Sequence, residues 1–260
     1  MISVLKSIAR GVFCAKTELM NAAIFTVYNK MANVVEIYIA IIILFIVLIV
    51  ILTVALNPDD NSPMESIPED SFTFPVYIIN LDRKPERYEY VKNQLDSMGI
   101  TGYHRWKATD GFNTGSNELV KNGVTTKLAE RRGLAGCASS HIRLWRHIAE
   151  NKMGWTLILE DDAHFHPQFV SLFHKYWRHI PKTAKIVFPG YCGSSDLEKP
   201  NDITSEAGVM CLHGYMLSWQ GAQYLLDNLI PIDIPIDIVV DDHFKRFKGS
   251  YIFNGNATMD

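Results

Sequence analysis

The spacing of apolar residues changes several times along this chain, and each change marks an element. Residues 37–56 (IYIAIIILFIVLIVILTVAL) are continuously apolar and uncharged. They predict a helix of about the 20 residues needed to cross a bilayer core of roughly 30 Å. Beyond a polar stretch with prolines, Phe74–Asn80 predicts a first strand that ends in Asn80-Leu81-Asp82-Arg83. Pro85 suits the first turn of a helix running to about Met98, where Gly99 stops it. Gly102–Lys107 predicts a short second strand, broken by Ala108-Thr109-Asp110-Gly111. Phe112–Leu128 reads as a long loop or a broken helix.

Gly133 and Gly136 precede a helix expected to be capped near Ser139 or Ser140 and to reach about Glu150. It feeds the apolar run Trp155-Thr156-Leu157-Ile158-Leu159, which meets Glu160-Asp161-Asp162. A helix from Pro167 to about Ile180, a strand over Ala184–Phe188, a strand over Gly208–Leu217 and a helix over Gln220–Leu229 follow. The phrase Pro231-Ile232-Asp233 returns as Pro235-Ile236-Asp237, and Asp242 is expected to open a last helical segment. Strands alternating with helices predict an α/β domain around a mostly parallel sheet.

Charge divides the chain. Lys6, Arg10, Lys16 and Lys30 precede the apolar run, whereas Asp59, Asp60, Glu65, Glu69 and Asp70 follow it. The positive-inside rule then predicts a single-pass anchor with a cytoplasmic N-terminal segment (1–36) and everything after Leu56 across the membrane, lumenal or extracytoplasmic. Residues 57–71, with Pro58, Pro63 and Pro68, read as a stem, and 72–260 as one working domain. A net charge of −3 gives no reason to expect a nucleic-acid partner.

The acidic triplet carries the chemistry. Strands that are apolar on both faces lie inside sheets, and ligands gather at the carboxyl ends of parallel strands. Side chains alternate, so Glu160 and Asp162 point to one side and Asp161 to the other. Two acidic oxygens suit a Mg2+ or Mn2+ that completes its shell with water and substrate phosphates, which makes a nucleoside diphosphate the natural guest. The plain alternative is a strand end with solvated acids.

Six phrases, in order, resemble the family-25 glycosyltransferases, which include bacterial lipooligosaccharide galactosyltransferases and procollagen galactosyltransferases. They are Ile79-Asn80-Leu81-Asp82-Arg83; Ala108-Thr109-Asp110-Gly111; Gly133-Leu134-Ala135-Gly136-Cys137-Ala138-Ser139-Ser140-His141 with Trp145; Leu157 to Ala163; His213-Gly214-Tyr215 through Leu226; and Pro235-Ile236-Asp237. The resemblance covers about Val76 to Asp242. It implies a GT-A-like single domain, a UDP-sugar donor such as UDP-galactose, a glycan or protein hydroxyl as acceptor, and Mn2+ or Mg2+ at Glu160-Asp161-Asp162. Asp162 is then the first metal ligand, with Glu160 or Asp161 touching metal or ribose. Asn80, Asp82, Arg83, Asp110 and His141 are expected around the donor, Asp82 at ribose or base and Arg83 at phosphate.

The family resembles inverting enzymes, which need a carboxylate base; Asp237, Asp241 and Asp242 are the candidates, Asp242 first. Capping a helix is the competing role for Asp241 and Asp242. His164 and His166 are possible further ligands, Trp219 and Tyr215 are sugar-stacking candidates, and Trp145, Trp155 and Trp177 are expected in the core. An oxidising lumen would permit one disulfide among Cys137, Cys192 and Cys211, with Cys192–Cys211 favoured because Cys137 lies inside a motif phrase; three buried free thiols are the alternative. The metal motif opens with Glu rather than Asp, and only a short tail with the sequon Asn256-Ala257-Thr258 follows Asp242. An inactive sugar-binding or scaffolding protein of the same fold, or a metal-dependent phosphohydrolase, are the other readings.

Overall fold

A computed structural model describes residues 20, 38–49, 64, 72–190, 203–204, 211–246 and 249–253. The chain forms two compact units, Met1–Asp59 and Asp60–Asp260. In the first, residues 38–49 are helical with exposed side chains. Among the described residues no helix is long and apolar enough to cross a membrane. That finding overturns the expected anchor over 37–56 and the single-pass placement built on it. The described helical residues, 38–49, are fewer than the roughly 20 that a crossing requires. Residues 37 and 50–56, and the stem apart from Met64, lie outside the described residues.

The second unit is a mixed α/β domain. Its strands are β1 (Val76–Asn80), β2 (Tyr103–Lys107), β3 (Thr156–Glu160), β4 (Ile186–Phe188), β5 (Ile203–Thr204), β6 (Gly214–Leu217) and β7 (Ser250–Phe253). They form one sheet in the order β2-β1-β3-β6-β4-β7-β5. β1 pairs in parallel with β2 and β3, and β4 with β7. β6 runs antiparallel to β3 and β4, and β5 to β7. The expected mostly parallel sheet is therefore corrected to a mixed one. A central strand buried on both faces, such as β6, has the same apolar run in either direction, so hydropathy does not encode its sense.

Helices α1 (Pro85–Ser97), α2 (Ser116–Lys121), α3 (Thr126–Ala129), α4 (Arg132–Glu150), α5 (Phe169–Trp177), α6 (Trp219–Leu229) and α7 (Ile236–Arg246) cover the sheet. Strand alternation separates two cores. Ile79, Ile158, Tyr215 and Leu217 pack with α4, α6 and α7, whereas Ile78, Leu157, Leu159 and Met216 pack with α1 and α5. The chain leaves β1 for β2 on one side and returns to β3 on the other, so a crevice opens at the carboxyl ends of β1 and β3.

Two expected helix starts move. α4 begins at Arg132, so Ser139 and Ser140 sit inside it rather than capping it. Ser140 Oγ donates back to the Gly136 carbonyl (2.7 Å) and accepts from the Thr109 N–H (2.8 Å), which ties the 108–111 turn to the helix. α7 begins at Ile236, which places Asp241 and Asp242 mid-helix and removes capping as their role. The ambiguous 112–128 stretch is a broken helix, α2 then α3, with Thr125 Oγ1 capping the Leu128 N–H (3.2 Å). Cys211 is disulfide-bonded and Cys137 is a free thiol. Cys14, Cys192 and the sequon lie outside the described residues.

The glycines of the motif phrase are explained by close approach. A Cβ on Gly136 would stand 2.6 Å from the Thr109 carbonyl oxygen, and one on Gly111 would overlap the Arg132 carbonyl. Gly136→Ala is expected to cost about 1–3 kcal/mol through overpacking, read by urea denaturation. Gly133→Ala, whose Cβ meets nothing within 4 Å, should leave stability nearly unchanged.

Candidate active site

A cavity of ≈ 210 Å³ sits at the carboxyl ends of β1 and β3. Glu160, Asp161 and Asp162 line it together with Arg83, Arg87, Asp110, Phe112 and the first turns of α4 at Gly133, Cys137 and His141. A neighbouring hollow of ≈ 470 Å³ shares Arg83, Thr109 and Asp110 and adds Asp82, Lys107 and Arg143.

The strand's alternation sends the first two acids to opposite layers. Glu160 turns to α4, where Oε1 accepts from His141 Nε2 at 2.9 Å and from the Cys137 thiol at 3.5 Å. Asp161 turns to α1, accepting from Asn80 Nδ2 (2.7 Å) and Arg87 Nη1 (3.3 Å). β3 ends at Glu160, so Asp162 lies in the turn; it is 60% exposed, with Arg87 3.9 Å away. All three acids reach the same cavity because the strand has ended.

Their acidities diverge. Burial pushes the Glu160 carboxyl up, but the hydrogen bond with His141, followed by that with Cys137, outweighs it and holds the group below the ordinary glutamate value. For Asp162, burial and then the charges of Glu160 and Asp161 push the carboxyl up, and Arg87 only partly offsets them. A carboxyl pushed up by neighbouring carboxylates beside an open cavity suits a cation. Cys137, His141 and Glu160 also bring ligand atoms within 4.8 Å of one another. Both Cys137 Sγ and His141 Nε2 are already spent on Glu160 Oε1, however, and burial followed by the Glu160 charge pushes the Cys137 thiol well up. Hard oxygen donors remain at Glu160 and Asp162, which fit Mg2+ or Mn2+.

The other expected residues spread around this centre. Asn80 is buried and fully committed: Nδ2 donates to the Lys84 carbonyl and to Asp161, and Oδ1 accepts from Arg105 Nε at 2.8 Å. Asn80 thus holds Asp161 in place. Asp82 pairs with Arg105 (2.9 Å) and Lys107 (2.6 Å) at the neighbouring hollow; the bonds from Lys107 and then Arg105 hold its carboxyl low. Arg83 donates to Asp110 Oδ2 at 3.0 Å, the main cause of a lowered Asp110 carboxyl. Asp110 also receives the Phe112 N–H (3.1 Å) and Asn113 Nδ2 (2.9 Å), which stiffens the turn carrying Phe112.

None of Asp237, Asp241 and Asp242 lines the cavity. Asp237, in the first turn of α7, is the nearest electrostatically, since its charge acts on Cys137. Asp241 pairs with Lys245 at 2.5 Å, and Asp242 is exposed. His164 bonds Tyr90 (2.7 Å), His166 accepts from the Gln168 N–H (3.1 Å), and neither lines the cavity. Tyr215 is buried, which removes it as a stacking platform. Trp145 and Trp177 are core residues as expected, while Trp155 and Trp219 are half-buried.

Sequence reasoning missed Arg87, Phe112 and a site role for Cys137. Arg87 was findable: Pro85 at the first helical position places it in the first turn, facing the strand ends. Phe112, 70% exposed at the cavity mouth, follows a turn signal but has no periodic pattern to expose it.

Comparison with known proteins gives the chain a family. The family model described as Glycosyltransferase family 25 (LPS biosynthesis protein) matches residues 73–240, and the chain belongs to that family. It is similar to R655 of Acanthamoeba polyphaga mimivirus, a glycosyltransferase by name, at 31% identity over 170 residues, 58% of this chain and 52% of that protein. A glycosyltransferase 25 family member of Drosophila melanogaster is 29% identical over 190 residues, 65% of this chain and 31% of its own. Procollagen galactosyltransferase 1-A of Xenopus laevis is 25% identical over 204 residues, 69% and 33%. The matched part thus spans about half of the viral relative and about a third of the animal ones.

Asp162 gives a pH prediction. Its ionised form is costly in the fold, so the cost is absent where both states are protonated, grows as pH rises through the ordinary aspartate value, and is complete above the raised one. Asp162→Asn should therefore raise Tm at pH 7 and lose that advantage on acidification, followed by calorimetry across pH. The gain is at most about 2 °C: 1 kcal/mol is worth roughly 2–4 °C in a domain of this size, and solvent screens an exposed side chain.

Proposed function

We propose that this chain is a glycosyltransferase that holds a nucleotide-sugar donor in the cavity at the ends of β1 and β3 and passes a hexose to a hydroxyl of a glycan or protein. The donor is UDP-linked and its sugar galactose, the sugar named for the Xenopus relative. The single observation that carries this reading is the convergence of Glu160, Asp161 and Asp162 with Arg83 and Arg87 on one cavity. A cation there needs oxygen donors and a diphosphate needs cations; this wall has both.

Asp162 and Glu160 would hold Mn2+ or Mg2+, which when bound neutralises charge gathering on the leaving diphosphate. Arg83 and Arg87 pair with phosphate oxygens as forked donors. The first turn of α4 adds backbone N–H groups without helical acceptors. Asn80 keeps Asp161 fixed between β1 and α1, so Asp161 shapes the field without moving. Phe112 offers a face to a planar or sugar ring at the mouth. For transfer with inversion, Asp237 takes the acceptor hydroxyl's proton as that oxygen attacks the anomeric carbon. Its place at the start of α7, near Cys137, favours it over Asp242.

UDP with Mn2+ is expected to raise Tm of the full chain, with little rise from either alone. Asp162→Ala should abolish that protection; unchanged melting of the wild-type protein would point to a scaffold without a donor. Phe112→Ala should raise the donor KM about tenfold, the worth of one aromatic contact, and leave Tm in place because the ring is exposed.

A further inference from the structure

Behind Glu160 lies a buried chain of polar groups to which the proposed donor contacts assign no part. Trp145 Nε1 donates to the Tyr215 hydroxyl at 2.8 Å, and that hydroxyl lies 2.8 Å from His141 Nδ1. Both aromatic residues are 0% exposed, and His141 is nearly as buried. An indole N–H can only donate, so the Tyr215 oxygen accepts from Trp145. The Tyr215 proton then has one acceptor within reach among the described residues, His141 Nδ1. A buried hydroxyl without an acceptor is costly, so the proton goes there.

This arrangement decides the tautomer. With Nδ1 accepting, the ring proton of His141 sits on Nε2 and is donated to Glu160 Oε1. Cys137 Sγ approaches the same oxygen. Glu160 Oε2 has no protein hydrogen bond among the described residues, and Glu160 is 31% exposed in the cavity wall.

We infer that Tyr215 is a positioning residue: through the tautomer of His141 it ties one oxygen of Glu160 to the protein and leaves the other for a divalent cation. The tautomer half stands on the hydrogen bonds alone, and the cation half rests on the proposed donor site. A histidine free to flip would present a lone pair to Glu160 and release the carboxylate to swing. Tyr215 and Trp145 therefore act on the ligand only through His141 and Glu160.

Ring-nitrogen NMR of the histidine-labelled full chain, with the His141 signal assigned by its loss in His141→Asn, reads the tautomer without any ligand. The wild type should show a protonated Nε2 and a bare Nδ1, and Tyr215→Phe a mixture. In parallel, Mn2+ binding in the presence of UDP, followed by electron spin resonance, should weaken about tenfold in Tyr215→Phe. It should be unchanged in Leu225→Ala, a buried residue of the same core outside the chain of bonds. A protonated Nδ1 in the wild type overturns the inference, and that spectrum decides alone if Tyr215→Phe does not fold. Equal Mn2+ binding in the wild type and Tyr215→Phe, or an equal loss in Leu225→Ala, also overturns it. A wild type with the expected tautomer that takes up no Mn2+ with UDP overturns the donor reading and, with it, the cation half of this one.

Discussion

Three carboxylates crowded at the end of one strand are a standing electrostatic strain, and the architecture around them manages it. Like charges this close disfavour one another's ionisation unless each finds its own partner. The chain supplies partners from opposite layers: His141 and Cys137 on α4 for Glu160, Asn80 on β1 and Arg87 on α1 for Asp161. Asp162 alone is left mostly to solvent, and its carboxyl carries the residual cost.

The same constraint explains the glycine-rich start of α4. For His141 and Cys137 to reach Glu160, the helix has to lie close over the 108–111 turn. Gly111 and Gly136 allow backbone to meet backbone there. Ser140 and Thr109 fasten the contact, and Asp110 holds Arg83 at the rim of the same cavity. Motif phrases far apart in the chain are thus parts of one wall: the Asn80 phrase holds Asp161, the glycine phrase places His141, and the Tyr215 phrase backs His141 from the core.

The membership in glycosyltransferase family 25 and the cavity chemistry converge without depending on each other. The family match comes from residue order along 73–240, whereas the cavity comes from strand ends brought together by the sheet's switch of direction at β1. Asp237, Asp241 and Asp242 all lie off the cavity wall.

What the chain's order of residues determined by itself was local: which runs become strands, that Pro85 opens a helix, and that the strand into Glu160 delivers acids to its carboxyl end. Periodicity and turn chemistry act over a few residues, so these were legible. The direction of β6, the true start of α4, the burial of Tyr215 and the meeting of Arg87 with Asp161 were decided only in three dimensions. Each depends on partners some 70 or more residues away or on packing across layers, and no short-range pattern records such a partner.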